Sequence, residues 1–299
     1  MATPILVTGA TGLIGQELIR ELSHRQALWE VHTASRSESG LPRHHRCDLS
    51  VADETFALIE QVEPSAVVHL AGGTSPDRHE LYASNVLSTV NLMNAVARLP
   101  HPAYCIVFGS AAEYGDTLQS PIGEEAPLKP VSEYGRAKVA GTTLAESICR
   151  ARGIPLTVLR PFNVVSPRLP ASTALGNMRR QLLSTPAGGR DERTVTCGRL
   201  DLVRDYVPLQ AVIEVALHLL AKPAPGQVLN VCSGVGISLG SILDAMARRL
   251  GVALRIEQAP ELLGIPAAPR VVGDPGRLAR ETGIRIAATA EDLAALLVG

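Results

Sequence analysis

The sequence predicts an α/β fold, a doubly wound parallel sheet followed by a smaller C-terminal lobe. Three observations carry that prediction. Short apolar runs alternate with longer amphipathic stretches over the first two-thirds of the chain, the rhythm of parallel strands joined by crossover helices. Apolar residues make up 46% of the 299 residues but aromatics only 3%. The core must therefore be built from Ala, Val, Leu and Ile, which suits a helix-covered sheet better than an aromatic-rich sandwich. After Phe162 the rhythm breaks, with Pro167, Pro170, Pro186, Gly188 and Gly189 interrupting short segments.

The elements follow in order. Ile5-Leu6-Val7 reads as a buried strand and residues 15–22 as its helix, with a second strand at 29–34. Residues 55–62 are helical and 66–70 form a third buried strand. Val86, Val90, Met93 and Val96 give 85–98 helical spacing. A strand at 104–108, a long helix at 133–151 and a strand at 156–159 complete the regular part. In the C-terminal part, 223–226 is a turn, 228–231 a strand and 238–250 a capped helix, while Arg179, Arg180, Arg190 and Arg193 concentrate positive charge. His44 and His45, between Arg43 and Arg46, are expected in a solvated loop.

Charge and cysteine content narrow the function classes. Lys and Arg number 28 against 29 Asp and Glu, a net charge of -1, which argues against a general nucleic-acid binder. No apolar run approaches the roughly 18–20 residues of a membrane span. Met1-Ala2-Thr3-Pro4 lacks a basic leader region, so no signal peptide is expected. The five cysteines, Cys47, Cys105, Cys149, Cys197 and Cys232, form no CxxC pair. That pattern predicts buried thiols in a reducing cytoplasm, without disulfides or a metal site.

Val7-Thr8-Gly9-Ala10-Thr11-Gly12-Leu13-Ile14-Gly15 lies between the first strand and the first helix. Glycines there permit a tight turn, close approach of backbone to a pyrophosphate, and close helix–sheet packing. The helix N-terminus adds free N–H groups and a positive dipole end. Gly9, Thr11, Gly12, Leu13, Ile14 and Gly15 are thus candidate contacts of a dinucleotide in a Rossmann-type fold. About 20 residues further on, a NAD-selective fold places an acidic residue at the end of the second strand. Here Ser35-Arg36 stands instead, and a guanidinium suits a 2′-phosphate, so NADP(H) is the expected cofactor. Asp48 and Leu49 suit the adenine edge.

Tyr134 and Lys138 are four apart on the predicted long helix and share a face. The neighbouring ammonium is expected to lower the tyrosine pKa toward useful acid–base strength. Ser110 follows the strand at 104–108, where ligands of such a sheet collect. Its sequence, Phe108-Gly109-Ser110-Ala111-Ala112, is no nucleophile elbow. The serine is therefore expected to hydrogen-bond a substrate oxygen.

Assembled, these residues resemble the extended short-chain dehydrogenases/reductases that act on nucleotide sugars. The resemblance runs almost end to end, through His69-Leu70-Ala71-Gly72-Gly73, Asn85-Val86, Tyr114-Gly115, Arg160-Pro161-Phe162-Asn163, Arg204-Asp205-Tyr206-Val207 and Leu229-Asn230-Val231. It implies a dinucleotide-binding domain at 1–165 with Leu70, Ala71 and Gly72 beside the cofactor. A mainly substrate-binding lobe follows at 166–299, with part of 201–231 returning to the core. By the same resemblance Asn163, Asn177 and Arg204 contact the nucleotide sugar, Arg277 or Arg179 meets its diphosphate, and Asn85 supports the Lys138 region. A homodimer through the helices at 85–98 and 133–151 is also implied.

The branch most resembled reduces the 4-keto group of a GDP-linked 4-keto-6-deoxyhexose. Arg199, Val165-Ser166-Pro167 and Gln210-Ala211 depart from its pattern, and the first two leave the base open. In the dehydratases, the positions after the Ser110 equivalent carry the acid and base that eliminate water. Here they are Ala111 and Ala112, with Glu113 one step late and expected to face elsewhere by strand alternation. Reduction is thus the expected outcome, with 4-epimerisation and a catalytically silent NADP-binding scaffold as alternatives.

Overall fold

Alternation along the first strand sends Ile5 and Val7 into one hydrophobic core and Leu6 into another. A strand buried on both faces belongs at the centre of a helix-covered sheet. The computed structural model, which describes residues 2–25, 28–117, 119–184, 192–263 and 268–299, has that arrangement. Strands β1 (Thr3–Thr8), β2 (Trp29–Ser35), β3 (His44–Arg46), β4 (Ala66–His69), β5 (Tyr104–Phe108) and β6 (Leu156–Pro161) pair in parallel. After β7 (Asn163–Val165), β8 (Glu192–Cys197) and β9 (Val203–Pro208), β10 (Gln227–Val231) returns to pair with β6. The seven-stranded order is β10-β6-β5-β4-β1-β2-β3. Chain direction across the sheet reverses between β1 and β4, and ligands of such sheets bind in the crevice at that point.

The helices are α1 (Leu13–Ser23), α2 (Ala52–Val62), α3 (Arg78–Tyr82), α4 (Ser88–Val96), α5 (Glu133–Arg152), α6 (Ala174–Leu183), α7 (Leu209–Ala221) and α8 (Leu239–Leu250), followed by shorter ones. Leu18 and Leu22 of α1 and Val212, Ile213 and Ala216 of α7 share the core containing Ile5, Val7 and Ile106. Leu58 of α2, Leu92 and Met93 of α4, and Ala145 and Cys149 of α5 cover Leu6, Val67 and Cys105 on the other face. The fold is Rossmann-like. A third core joins Leu175, Met178 and Leu182 of α6 to Ile242, Leu243 and Met246 of α8. Here β9 runs antiparallel to β11 (Gly236–Ser238), β8 pairs with β12 (Ala253–Gln258), and β13 (Arg270–Val271) also joins β9.

Two local expectations change. Residues 44–46 form the edge strand β3 rather than a loop, because side-chain bonds reinforce the pairing with β2. The His44 ring is within 3.0 Å of Thr33 Oγ1 and 2.9 Å of the Ser37 carbonyl, and His45 stacks on His32. Helical structure also begins before Asn85: Asp77 caps α3 by accepting the His79 and Glu80 N–H groups. The chain then passes through a π-turn at Ala83–Leu87 into α4. All five cysteines are free and buried. Pro186, Gly188, Gly189 and Arg190 lie outside the described residues, among which no helix is long and apolar enough to cross a membrane.

Candidate active site

At the switch point the end of β1 passes into Gly9, which takes φ of +65°. A Cβ there would stand 2.6 Å from the Ala71 nitrogen and the Leu70 carbonyl carbon, so the chain leaving β4 can pack onto the loop only because the residue is glycine. At Gly15 a Cβ would stand 2.5 Å from the Gly9 oxygen, which closes α1 onto the same loop. Gly12 begins α1 with no side-chain cap among the described residues. The N–H groups of Leu13 and Ile14 therefore stay available to an anion. The side chains of Leu13 and Ile14 pack back against the core.

Beside this loop lies a cleft of about 520 Å³, lined by Gly9, Thr11, Gly12, Ser35, Arg36, Asp48, Leu49, Leu70, Ala71 and Gly72. Arg36 is exposed and its Nη1 lies 3.1 Å from Glu80 Oε1. Glu80, which also accepts a hydrogen bond from Ser75, lines the same end of the cleft. Sequence reasoning missed it, since nothing local ties α3 to the end of β2. Asp48 accepts the Ser50 N–H and hydroxyl in a turn. The Asn85 amide donates to the Gly73 and Leu81 carbonyls, while its Oδ1 is buried without a partner among the described residues. A Cβ on Gly72 would lie 2.6 Å from that oxygen and 3.1 Å from Lys138 Nζ. An anion-seeking helix end, a bare glycine floor, and an unmet acceptor beside an ammonium fit the phosphates and ribose hydroxyls of a dinucleotide.

The structure brings Ser110, Tyr134 and Lys138 together at the C-terminal end of β5. Ser132 caps α5 by accepting the Gly135 N–H, which fixes the first turn that carries Tyr134. Lys138 Nζ donates to the Phe108 carbonyl at 3.0 Å and lies 6.0 Å from the Tyr134 ring centre. Burial pushes the Lys138 pKa down to about 8, against the field of Glu113. The expectation of a lowered Tyr134 pKa is corrected. Burial raises it, the Ser110 hydroxyl only partly opposes the rise, and Glu113 adds to it. The ammonium that was to lower it is instead bonded to a backbone carbonyl.

The reading of Glu113 also changes, because the strand ends at Phe108 and Ala111–Glu113 is a 3-10 turn. Ser110 caps that turn by accepting the Ala112 N–H, and Glu113 folds back to accept the Ser110 N–H. Strand alternation no longer applies there.

The remaining candidates sit in the C-terminal region. Asn163 of β7 donates to the Asp205 carbonyl at 2.9 Å, and Asn177 of α6 accepts from Arg180. Arg204 of β9 donates to the Val203 carbonyl and pairs with no carboxylate among the described residues. Burial and Arg199 lower its pKa. Arg277 is paired with Glu125 at 2.7 Å and Glu124 at 3.5 Å, while Arg179 donates to the Leu297 carbonyl.

The sequence profile of the NAD dependent epimerase/dehydratase family matches residues 5–232. The GDP-6-deoxy-D-mannose reductase of Pseudomonas aeruginosa is 30% identical over 294 residues, 95% of this chain and 92% of that protein. The dTDP-6-deoxy-L-talose 4-dehydrogenase (NAD(P)(+)) of Kitasatospora kifunensis is 31% identical over 266 residues, 86% of this chain and 82% of its own. The structure of RMD from Pseudomonas aeruginosa complexed with NADPH superposes with a TM-score of 0.83 at 26% identity, covering 99% of this chain and 98% of that one. The chain belongs to the NAD dependent epimerase/dehydratase family, among the extended short-chain dehydrogenases/reductases.

Proposed function

We propose that the protein is an NADP(H)-dependent reductase of the 4-keto group of a nucleotide-linked 4-keto-6-deoxyhexose, with a GDP-sugar favoured. The observation that carries this reading is the grouping of Ser110, Tyr134 and Lys138 beside the glycine-loop cleft, which Arg36 also lines. The Pseudomonas GDP-6-deoxy-D-mannose reductase supports the choice of substrate class. Residues 1–165 hold the cofactor and 166–299 mainly the sugar nucleotide. Arg36 and Ser35 meet the 2′-phosphate, while Lys138 and Asn85 meet the ribose. Asn163, Asn177 and Arg204 hold the sugar nucleotide, and Arg277 joins the diphosphate by leaving Glu125. A second copy covers Leu87 and Leu144, which are exposed here, to give a homodimer.

Bound NADPH supplies the hydride to C4 of the sugar. The chain's own task is the proton. Like any phenol, Tyr134 is neutral near pH 7, the form that donates to the C4 oxygen as charge develops there. The Ser110 oxygen accepts the Ala112 N–H, and its own proton, shared here with the Tyr134 oxygen, turns to the same substrate oxygen when the sugar binds. Lys138 holds its ammonium on the Phe108 carbonyl and toward the cofactor ribose, and the tyrosine regains its proton from solvent. With alanine at 111 and 112, no acid–base pair stands where elimination of water would need one.

The test is loss of NADPH absorbance on mixing the protein with 4-keto-6-deoxy sugars carrying GDP, UDP or TDP. Stoichiometric conversion to a 4-hydroxy sugar is expected. A dehydrated sugar formed without NADPH consumption overturns the reading. One observation favours a second function, nucleotide-sugar 4-epimerisation with retained NAD. The Glu80 carboxylate stands beside Arg36, and a carboxylate suits a free 2′-hydroxyl. Interconversion of two hexoses with no net change in cofactor would establish it.

A further inference from the structure

Glu113 is a fully buried carboxylate next to the candidate reacting groups, and the reduction gives it no proton to carry. Its two oxygens serve three elements. Oε1 accepts the Ser110 N–H at 2.9 Å. Oε2 accepts Arg160 Nε at 2.8 Å and the Thr142 hydroxyl at 3.1 Å. Thr142 continues on α5 the i, i+4 row begun by Tyr134 and Lys138, so all three occupy one helix face. Arg160, near the end of β6, also donates to the Tyr114 hydroxyl, which in turn donates to Asn230 of β10. A Cβ on Gly109 would lie 2.2 Å from Glu113 Oε1, so a glycine before Ser110 is what lets the carboxylate fold beneath the turn.

Such an arrangement is poor value as packing alone. A buried ion pair often adds no net stability over apolar side chains of the same volume, but breaking it is costly, so it holds one geometry. The geometry held here is that of Ser110 relative to α5. We propose that Glu113 is a positioning residue for the reduction, its carboxylate setting the Ser110 turn against Tyr134 and Lys138 so that both hydroxyls reach one substrate oxygen. This rests on the reductase reading of those three side chains. The negative charge acts on them as well, supporting the Lys138 ammonium and the neutral Tyr134 phenol.

The experiment is a double-mutant cycle on the full chain with Glu113→Gln and Ser110→Ala. Glu113→Gln should lower kcat by about tenfold or more while leaving KM and the NADPH Kd within about twofold. On the Ser110→Ala background it should cost almost nothing further, since the hydroxyl it positions is gone. Fully additive losses, or an unchanged kcat, overturn the proposal. Should Glu113→Gln fail to fold, Thr142→Val cuts one arm and spares the ion pair. It should cost roughly fivefold in kcat, with recovery in Thr142→Ser, and equal activity of all three proteins overturns the proposal. A wild type that reduces no 4-keto sugar nucleotide overturns this proposal and the reductase reading together. An active wild type with additive losses overturns only the role of Glu113.

Discussion

The glycine-loop cleft and the C-terminal candidate site recruit their groups in opposite ways. At the cleft, Gly9, Gly12 and Gly15 follow one another from a single loop into the first turn of α1, and the features they supply are backbone ones: a positive φ, a close approach and open N–H groups. In the C-terminal region Asn163, Asn177 and Arg204 come from β7, α6 and β9. Asp205 organises part of that region. Fully buried, it accepts the Ser233 N–H and hydroxyl at 2.8 and 2.7 Å, the Gly234 N–H at 2.9 Å and the Gly273 N–H at 3.2 Å. Burial raises its pKa and those four bonds oppose the rise. A backbone cradle can be built from local conformation, whereas a cluster of side chains must be gathered from distant segments and held by buried polar bonds.

The comparison predicts that damage to one half spares the other, and the largest effect should come where the two meet. Tyr134→Phe keeps the ring and removes the transferable proton, so kcat should fall by roughly 10²–10⁴ with NADPH Kd little changed. A variant that keeps most of its turnover would place the proton donor elsewhere. Asp205→Asn turns one acceptor oxygen into a donor facing N–H groups. It should destabilise the fold by about 1.5–3 kcal/mol in denaturant titration, the range for bonds to a charged group. It should raise KM for the sugar nucleotide before it affects NADPH binding, and equal losses on both sides would mean that the two regions are not independent.

Arg36→Ala tests the cleft alone. NADPH should bind about tenfold more weakly, measured by fluorescence titration, with NADH nearly unchanged. A matching loss for NADH would make Arg36 a general support of the loop. The smallest effect is the pH dependence. Lys138 is pushed down to about 8, and its charged form is the active one, so kcat/KM for reduction should be level below that value and fall as pH rises through it. An alkaline limb at the ordinary lysine value of about 10.4 would show that the ammonium is not desolvated in solution.

How much of this was legible beforehand depended on how far apart the partners lie. Ser110, Tyr134 and Lys138 could be read because the strand end and one helix face place them by short-range geometry. The partner of Arg36 could not, as Glu80 reaches it across the cleft from α3. For Glu113 the signal is partly local: Ser110 and Glu113 form a Ser-x-x-Glu capping box that closes the 3-10 turn. Only the contacts of its carboxylate with Arg160 and Thr142 come from distant elements. His44 and His45 looked solvated because the strand that receives them, β2, is separated from them by a turn whose path only the pairing fixes.

By itself the sequence determined the α/β class, the glycine cradle and the face of α5 that carries the tyrosine and lysine. Each follows from the period of apolar residues or from a residue's own conformational range, and both act over a few neighbours. Tertiary structure alone decided the electrostatics. It set Tyr134 above its ordinary pKa rather than below, and it bonded Lys138 to the Phe108 carbonyl. It also paired Arg277 with Glu124 and Glu125 and left Arg204 without a carboxylate among the described residues. Desolvation and ion pairing depend on what else is packed within a few ångströms, and that environment exists only once distant segments have met.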